Sequence, residues 1–284
     1  AGTTLLFYND VYLVNELDIF SFDEGFDFAI FSAGGDTALK YAPIAASKGC
    51  TVIDNSSAFR MDPSVPLVVP EVNSSAISSN NKIIANPNCS TIQAVVPLKA
   101  LDDKFGIKRI VYSTYQAVSG AGMKGISDYK NGVKGSNKLE KFPYPIFNNC
   151  LPHIDVFLDN GYTKEEEKMI NETRKILDKP NLPVTATPVL NCHSESINVE
   201  FENSFDIDDI FKVLNNTKNV IVQDDVKNNI YPLAINADGH NDVFVGRIRR
   251  DYSVKNGINL WVVADNIRKG AAANAVQILD YLIN

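Results

Sequence analysis

Over the first third of the chain the apolar positions fall in short runs, each stopped by glycine or by a polar loop. Residues 27–33 (DFAIFSA) form one run, closed by Gly34-Gly35, and residues 37–48 then carry Ala38, Tyr41, Ala42 and Ala45 at the i, i+3, i+4, i+7 spacing of one helix face. Residues 50–54 (CTVID) make the next run, ending in Asn55-Ser56-Ser57, and residues 82–85 another, ending in Asn86-Pro87-Asn88. Strands alternating with helices predict a parallel sheet, whose ligands collect at the carboxyl ends of the strands. The loops after Ala33, Asp54 and Ala85 are therefore site candidates. From about Lys108 the pattern changes to longer alternating strands over 109–115, 196–201 and 257–264 with longer loops, which predicts a second unit of α+β type. Its one clear helix starts at Thr163, where Thr163 and Glu166 spell a capping box ahead of Met169, Thr173 and Ile176. A last helix over 270–282 is placed to return to the first unit.

Composition narrows the class. The 284 residues are 45% apolar, enough for a sizeable core, and 27 basic against 34 acidic side chains leave a net charge of -7, the wrong sign for a phosphate-backbone binder. The apolar stretches 258–264 and 65–69 fall far short of the roughly 20 residues that span a bilayer. Neither nucleic acid nor membrane is an expected partner. Cys50, Cys89, Cys150 and Cys192 contain no C-x-x-C pair and only three His accompany them, so no metal site or disulfide framework is expected, and the thiols read as reduced, in the cytoplasm. The chain opens at Ala1-Gly2-Thr3-Thr4 without Met, which reads as an internal start.

Cys89 follows a strand and Pro87-Asn88 and precedes Ser90-Thr91-Ile92-Gln93, the first turns of an expected helix with Ser90 as a candidate N-cap. A helix N-terminus lowers a thiol pKa and offers N–H groups to an oxyanion, although a free Cys is also a common small core residue. Cys50 and Cys150, in apolar settings, are weaker candidates. His193, just before a strand, is a candidate base, and equally a candidate structural residue. Arg60 lies on a site loop with a fork suited to carboxylate or phosphate. Glu165 and Lys168, at i, i+3, fit either substrate contact or a plain intrahelical pair. Gly120, Gly122 and Gly125 spell G-x-G-x-x-G but close a strand of the second unit, and we read them as a flexible loop rather than a dinucleotide fingerprint.

Taken together, residues 86–91 (NPNCST), 113–122 (STYQAVSGAG) and 193–196 (HSES) resemble the aspartate-β-semialdehyde dehydrogenase family, and residues 31–34 (FSAG), 54–60 (DNSSAFR), 69–73 (VPEVN), 245–249 (VGRIR) and 265–272 (DNIRKGAA) extend the likeness nearly end to end. The resemblance implies an α/β fold: a Rossmann-like parallel-sheet nucleotide-binding domain from 1–88 and 265–284, with an α+β catalytic and dimerisation domain from 89–264. It implies Cys89 as nucleophile, Gln116 as orienting residue and His193 as acid/base. Arg60, Asn88 and Lys168 would meet phosphate and Glu165 the amino acid, while Ser32, Gly34, Ser57, Ser119, Gly120 and Asn266 would lie along NADP. The implied reaction is reductive dephosphorylation of β-aspartyl phosphate to aspartate semialdehyde through a Cys89 thioester, in a homodimer or dimer of dimers. Members of the family begin with a further strand, G-x-x-G-x-x-G turn and helix, and carry additional residues, including a carboxylate-binding Arg, near Ala186-Thr187-Pro188-Val189. The stretch after Met123 is also short. We therefore expect a longer polypeptide, with a βαβ unit before Ala1 and an Arg-bearing loop between Thr187 and Pro188. N-acetyl-γ-glutamyl-phosphate reductase is the alternative enzyme, and an inactive scaffold the alternative if those pieces are truly missing.

Overall fold

The computed structural model describes residues 1–190 and 193–284, without the side chains of 188–190. In chain order the elements are β1 (Thr4–Phe7), β2 (Asp10–Leu13), β3 (Phe28–Phe31), α1 (Gly35–Ser47), β4 (Thr51–Asp54), α2 (Pro70–Asn73), β5 (Ile83–Ala85), α3 (Cys89–Phe105), β6 (Ile107–Gln116), α4 (Gly122–Val133), α5 (Lys164–Ile176), β7 (Val184–Leu190), β8 (Ser194–Phe201), α6 (Ile207–Asn215), β9 (Val220–Val222), α7 (Ala234–Ala237), β10 (Val243–Asp251), β11 (Gly257–Val263) and α8 (Ala273–Ile283). This is the α/β architecture expected.

Strands β3, β4 and β5 form a parallel sheet in that order. Alternation along β4 sends Val52 to one face and Ile53 to the other. Val52 packs with Ala42 and Ala45 of α1, while Ile53 packs with Ile84 and with Ala275 and Ile278 of α8. The C-terminal helix thus closes the second face of the first sheet, as its position suggested. The larger sheet runs β7-β6-β8-β11-β10-β9 and mixes parallel and antiparallel pairs.

Helix α3 is buried on nearly every side in its first half, from Ser90 through Leu98, and again at Leu101 and Phe105. Such a helix must be covered all round. It is: the main core cluster joins its Ile92, Val95 and Leu98 to Leu67 and Val69 before β5 and to Ile110, Ile197 and Val262 of the large sheet.

Three expectations need correction. Residues 118–133 are not a flexible loop but a 3-10 turn (Val118–Ala121) followed by α4. The second unit has more than one clear helix, since α6 packs Ile210 and Leu214 into the main core. Cys150 is exposed rather than apolar-lined. Thr187 and Pro188 are consecutive positions of β7, opposite Ser113 and Thr114 of β6. Proline is tolerated there because β7 is an edge strand.

Candidate active site

The loop after β5 turns directly into α3, and Asn88 rather than Ser90 caps the helix. Its backbone is extended (φ -62°, ψ 145°) and its side-chain oxygen accepts from the N–H groups of Ser90 (3.0 Å) and Thr91 (3.4 Å). Cys89 is therefore the first helical residue. Its Sγ lies 3.0 Å from His193 Nε2, although the two are 104 positions apart. The other ring nitrogen, Nδ1, accepts from the Ala117 N–H at 2.8 Å, so the neutral imidazole carries its proton on Nε2, facing the sulfur. A ring held this way can donate to a thiolate or to an oxyanion formed beside it.

Burial opposes charge on both groups. It pushes the Cys89 thiol up to about 12, aided by the Glu165 carboxylate and countered by Arg60 and the Ser90 N–H. It pushes His193 down to about 3, against the pull of Asp265. The lowering expected from the helix N-terminus alone is thus outweighed by burial.

On the other side of Cys89 the groups are charged and interlocked. Gln116 Nε2 donates to Ser90 Oγ (2.5 Å) and Glu165 Oε1 (3.0 Å), and Asn88 Nδ2 donates to the same Glu165 oxygen (2.9 Å). Lys168 reaches Glu165 at 3.3 Å and Asp155 at 2.8 Å. Arg60 donates to Glu172 (3.0 Å) and to the Asn55 carbonyl (3.0 Å), and Glu172 also accepts from the Asn88 N–H at 2.6 Å. Ser57, Arg60, Asn88, Cys89, Gln116, Gly120, Glu165, Lys168 and His193 all line one cleft of about 540 Å³. Sequence reasoning missed Glu172, Asp155 and Ala117. Glu172 had a signal, because Glu165, Met169, Glu172, Thr173 and Ile176 follow the stripe of the buried face of α5.

The remaining candidates do not all lie beside this cleft. Asn266 Nδ2 donates to Ser119 Oγ at 3.2 Å, tying the 3-10 turn to the segment before α8. Gly270, in a π turn (Arg268–Ala272), packs so closely on Cys89 that an added Cβ would sit 2.8 Å from the cysteine Cβ. Ser32 and Gly34 stand apart, at the carboxyl end of β3. Gly34 has φ +91° and caps α1, and added Cβ atoms at Gly34 and Gly35 would meet nothing within 4 Å. An open glycine turn at a helix N-terminus and a strand end fits a dinucleotide phosphate or ribose. Cys50 is buried with its pKa raised by that burial, Cys192 falls outside the described residues, and no metal-holding cluster occurs among those described.

Residues 1–80 match the family model "Semialdehyde dehydrogenase, NAD binding domain" and residues 98–269 match "Semialdehyde dehydrogenase, dimerisation domain". The chain is 54% identical to the aspartate-semialdehyde dehydrogenase of Aquifex aeolicus, over 99% of this chain and 86% of that protein. It is 46% identical to the Bacillus subtilis enzyme of the same name, again over 99% and 86%. The Aquifex alignment runs over 294 positions, at least 10 more than this chain has residues, so that relative carries residues this chain lacks. A crystal structure of aspartate semialdehyde dehydrogenase II of Vibrio cholerae, complexed with ASA, superposes with a TM-score of 0.92 at 44% identity, covering 99% of this chain and 86% of that one.

Proposed function

The chain belongs to the aspartate-semialdehyde dehydrogenase family, and from that premise we propose that it reduces β-aspartyl phosphate to aspartate semialdehyde with NADPH, through a thioester on Cys89. The observation that carries the reading is the 3.0 Å contact between Cys89 Sγ and His193 Nε2 at the start of α3.

Cys89 Sγ attacks the acyl carbon and phosphate leaves, toward the cations Arg60 and Lys168. The amide of Gln116 and the Glu165 carboxylate, joined at 3.0 Å, hold the amino-acid end against the helix. Bound nicotinamide supplies the hydride that takes the thioester to the aldehyde level. His193, with its Nε2–H toward the sulfur, steadies the thiolate and then the oxygen of the intermediate, and it handles the proton there. A proton at Nδ1 would require release of the Ala117 N–H, so proton transfer and that backbone bond are coupled. Ser32, Gly34, Ser57, Ser119, Gly120 and Asn266 are the residues we assign to the dinucleotide, in a chain divided at 1–88 with 265–284 and at 89–264. The match of 98–269 to a dimerisation domain supports a dimer as the working unit.

Cys89→Ser should abolish acyl transfer while leaving the fold intact, because a hydroxyl lacks a thiolate's nucleophilicity at neutral pH. Iodoacetate should label Cys89 ahead of Cys50. Wild-type turnover in the variant, or faster labelling of Cys50, would refute the assignment.

A further inference from the structure

The helix-covered face of the large sheet turns polar as it nears Cys89. Alternation puts Ile110, Tyr112, Thr114 and Gln116 of β6 on that face, together with Glu195, Ile197, Val199 and Phe201 of β8. Thr114 and Glu195 stand directly opposite each other in register. A covered strand position is ordinarily apolar, yet Glu195 is a carboxyl with 0% exposure.

No cation accompanies it among the described residues. Among the described residues its carboxyl takes one hydrogen bond, from Gln93 Nε2 at 2.8 Å. From α3 it faces the Cys89 thiol and from β6 the Tyr112 phenol, neither of which can supply positive charge; its neighbour on β11 is Val262. Two atoms of this pair are buried without a partner: Glu195 Oε2 and Gln93 Oε1. Both are acceptors if Glu195 is ionised, and one proton placed on Oε2 turns it into a donor that satisfies both atoms at once. An ionised carboxyl in the same place would be a buried charge with no counter-ion, which costs several kcal/mol.

We infer that Glu195 is a neutral carboxylic acid in the working protein, donating its Oε2–H to Gln93 Oε1 in a reciprocal acid–amide pair that keeps the rear of the Cys89 site free of negative charge. Glu195 is then a positioning residue. It ties β8, just after His193, to the second turn of α3, just after Cys89, without adding a carboxylate that would oppose formation of the thiolate. Burial also drives its carboxyl well above the usual carboxylate range. The protonation stands on the pair itself, and only its consequence for catalysis rests on reading Cys89 as the nucleophile.

The rival arrangement is an ionised Glu195 hydrated by a water between it and the hydroxyls of Thr91 and Thr114, both of which are also buried and unpartnered. Infrared spectra of the wild-type protein decide between them without any variant. A protonated-carboxyl C=O band should persist at neutral pH, after ordinary carboxyls have ionised, and should vanish in Glu195→Gln. Absence of the band at neutral pH overturns the proposal. The pH midpoint of Cys89 alkylation by iodoacetamide should be the same in wild type and Glu195→Gln. A fall of about one pH unit or more in the variant would mean that a negative charge had been removed, and would equally overturn it. If instead Cys89→Ser keeps its activity while the band is present, the functional reading fails and the acid–amide pair stands.

Discussion

Glu172 and Glu195 are both buried carboxyls tied to the first turns of α3, one to the backbone of Asn88 and the other to the side chain of Gln93. Their surroundings differ in one respect. Glu172 has the Arg60 guanidinium at 3.0 Å, whereas Glu195 has only an amide. Burial raises the pKa of both, but at Glu172 the Arg60 charge and the Asn88 N–H pull it back, and at Glu195 only Gln93 does. One side of Cys89 is therefore a lattice of charges suited to an anionic substrate, and the other a neutral wall that keeps its proton. The same side chain serves both because charge is set by the partners and not by the residue type.

The greatest disturbance of the neutral side should come from His193. His193→Asn should lower turnover by about 10² to 10⁴, the span of a positioned acid or base, and the pH–rate profile should lose a limb. An unchanged profile would return His193 to a structural role. On the charged side, Glu172→Gln should leave the Arg60 guanidinium buried without its counter-charge, a defect of about 3–5 kcal/mol in urea unfolding. The apolar double variant Arg60→Met with Glu172→Leu should recover most of that stability while losing phosphate affinity. If Glu172→Gln is as stable as wild type, the contrast with Glu195 collapses.

The smallest effect concerns a carboxylate held by backbone alone. Burial works to raise the Asp128 pKa, but the N–H groups of Phe142, Lys141 and Glu140, at 2.9, 2.8 and 2.7 Å, outweigh it and hold the pKa below the usual value. A pKa depressed in the folded state contributes stability above the unfolded value of about 3.9, and that contribution disappears as pH falls through the folded value. Proteolysis within 134–142 should therefore accelerate in acid for wild type, and a few-fold at neutral pH for Asp128→Asn. Equal cleavage of the two proteins at neutral pH would show that these bonds do not order the segment.

Local signals in the sequence located much of this molecule, and non-local ones did not. The capping box at Thr163 and Glu166 forms as spelled, because both bonds lie within one turn. The alternating stretches of the second unit are strands, since one sheet face meets α3 and the other does not. The pairings Cys89–His193 and Arg60–Glu172 span 104 and 112 positions, and no spacing rule reports them. Helix α4 was hidden for a different reason. Glycine is a poor helix former, yet an added Cβ at Gly125 would meet Ala121 Cβ at 2.7 Å and one at Gly132 would meet Phe147 Cβ at 2.6 Å. Those glycines serve close packing, which a reading by propensity takes for flexibility. The same ambiguity moved the cap: Asn88 and Ser90 are both good capping residues, and only the path of the chain after β5 selects the first.

The chain has a single tryptophan, and it stands on the face of the large sheet turned away from α3. Trp261 donates its indole N–H to the Pro232 carbonyl at 3.1 Å, and its ring lies 5.9 Å from that of Tyr115, in a groove that also holds Arg247 and Arg249. All indole emission from this protein therefore originates at one spot on that face. Its colour and its accessibility to a soluble quencher report whether water reaches the groove, so the hydration of this surface can be read optically, with no label attached and no residue of the cleft disturbed.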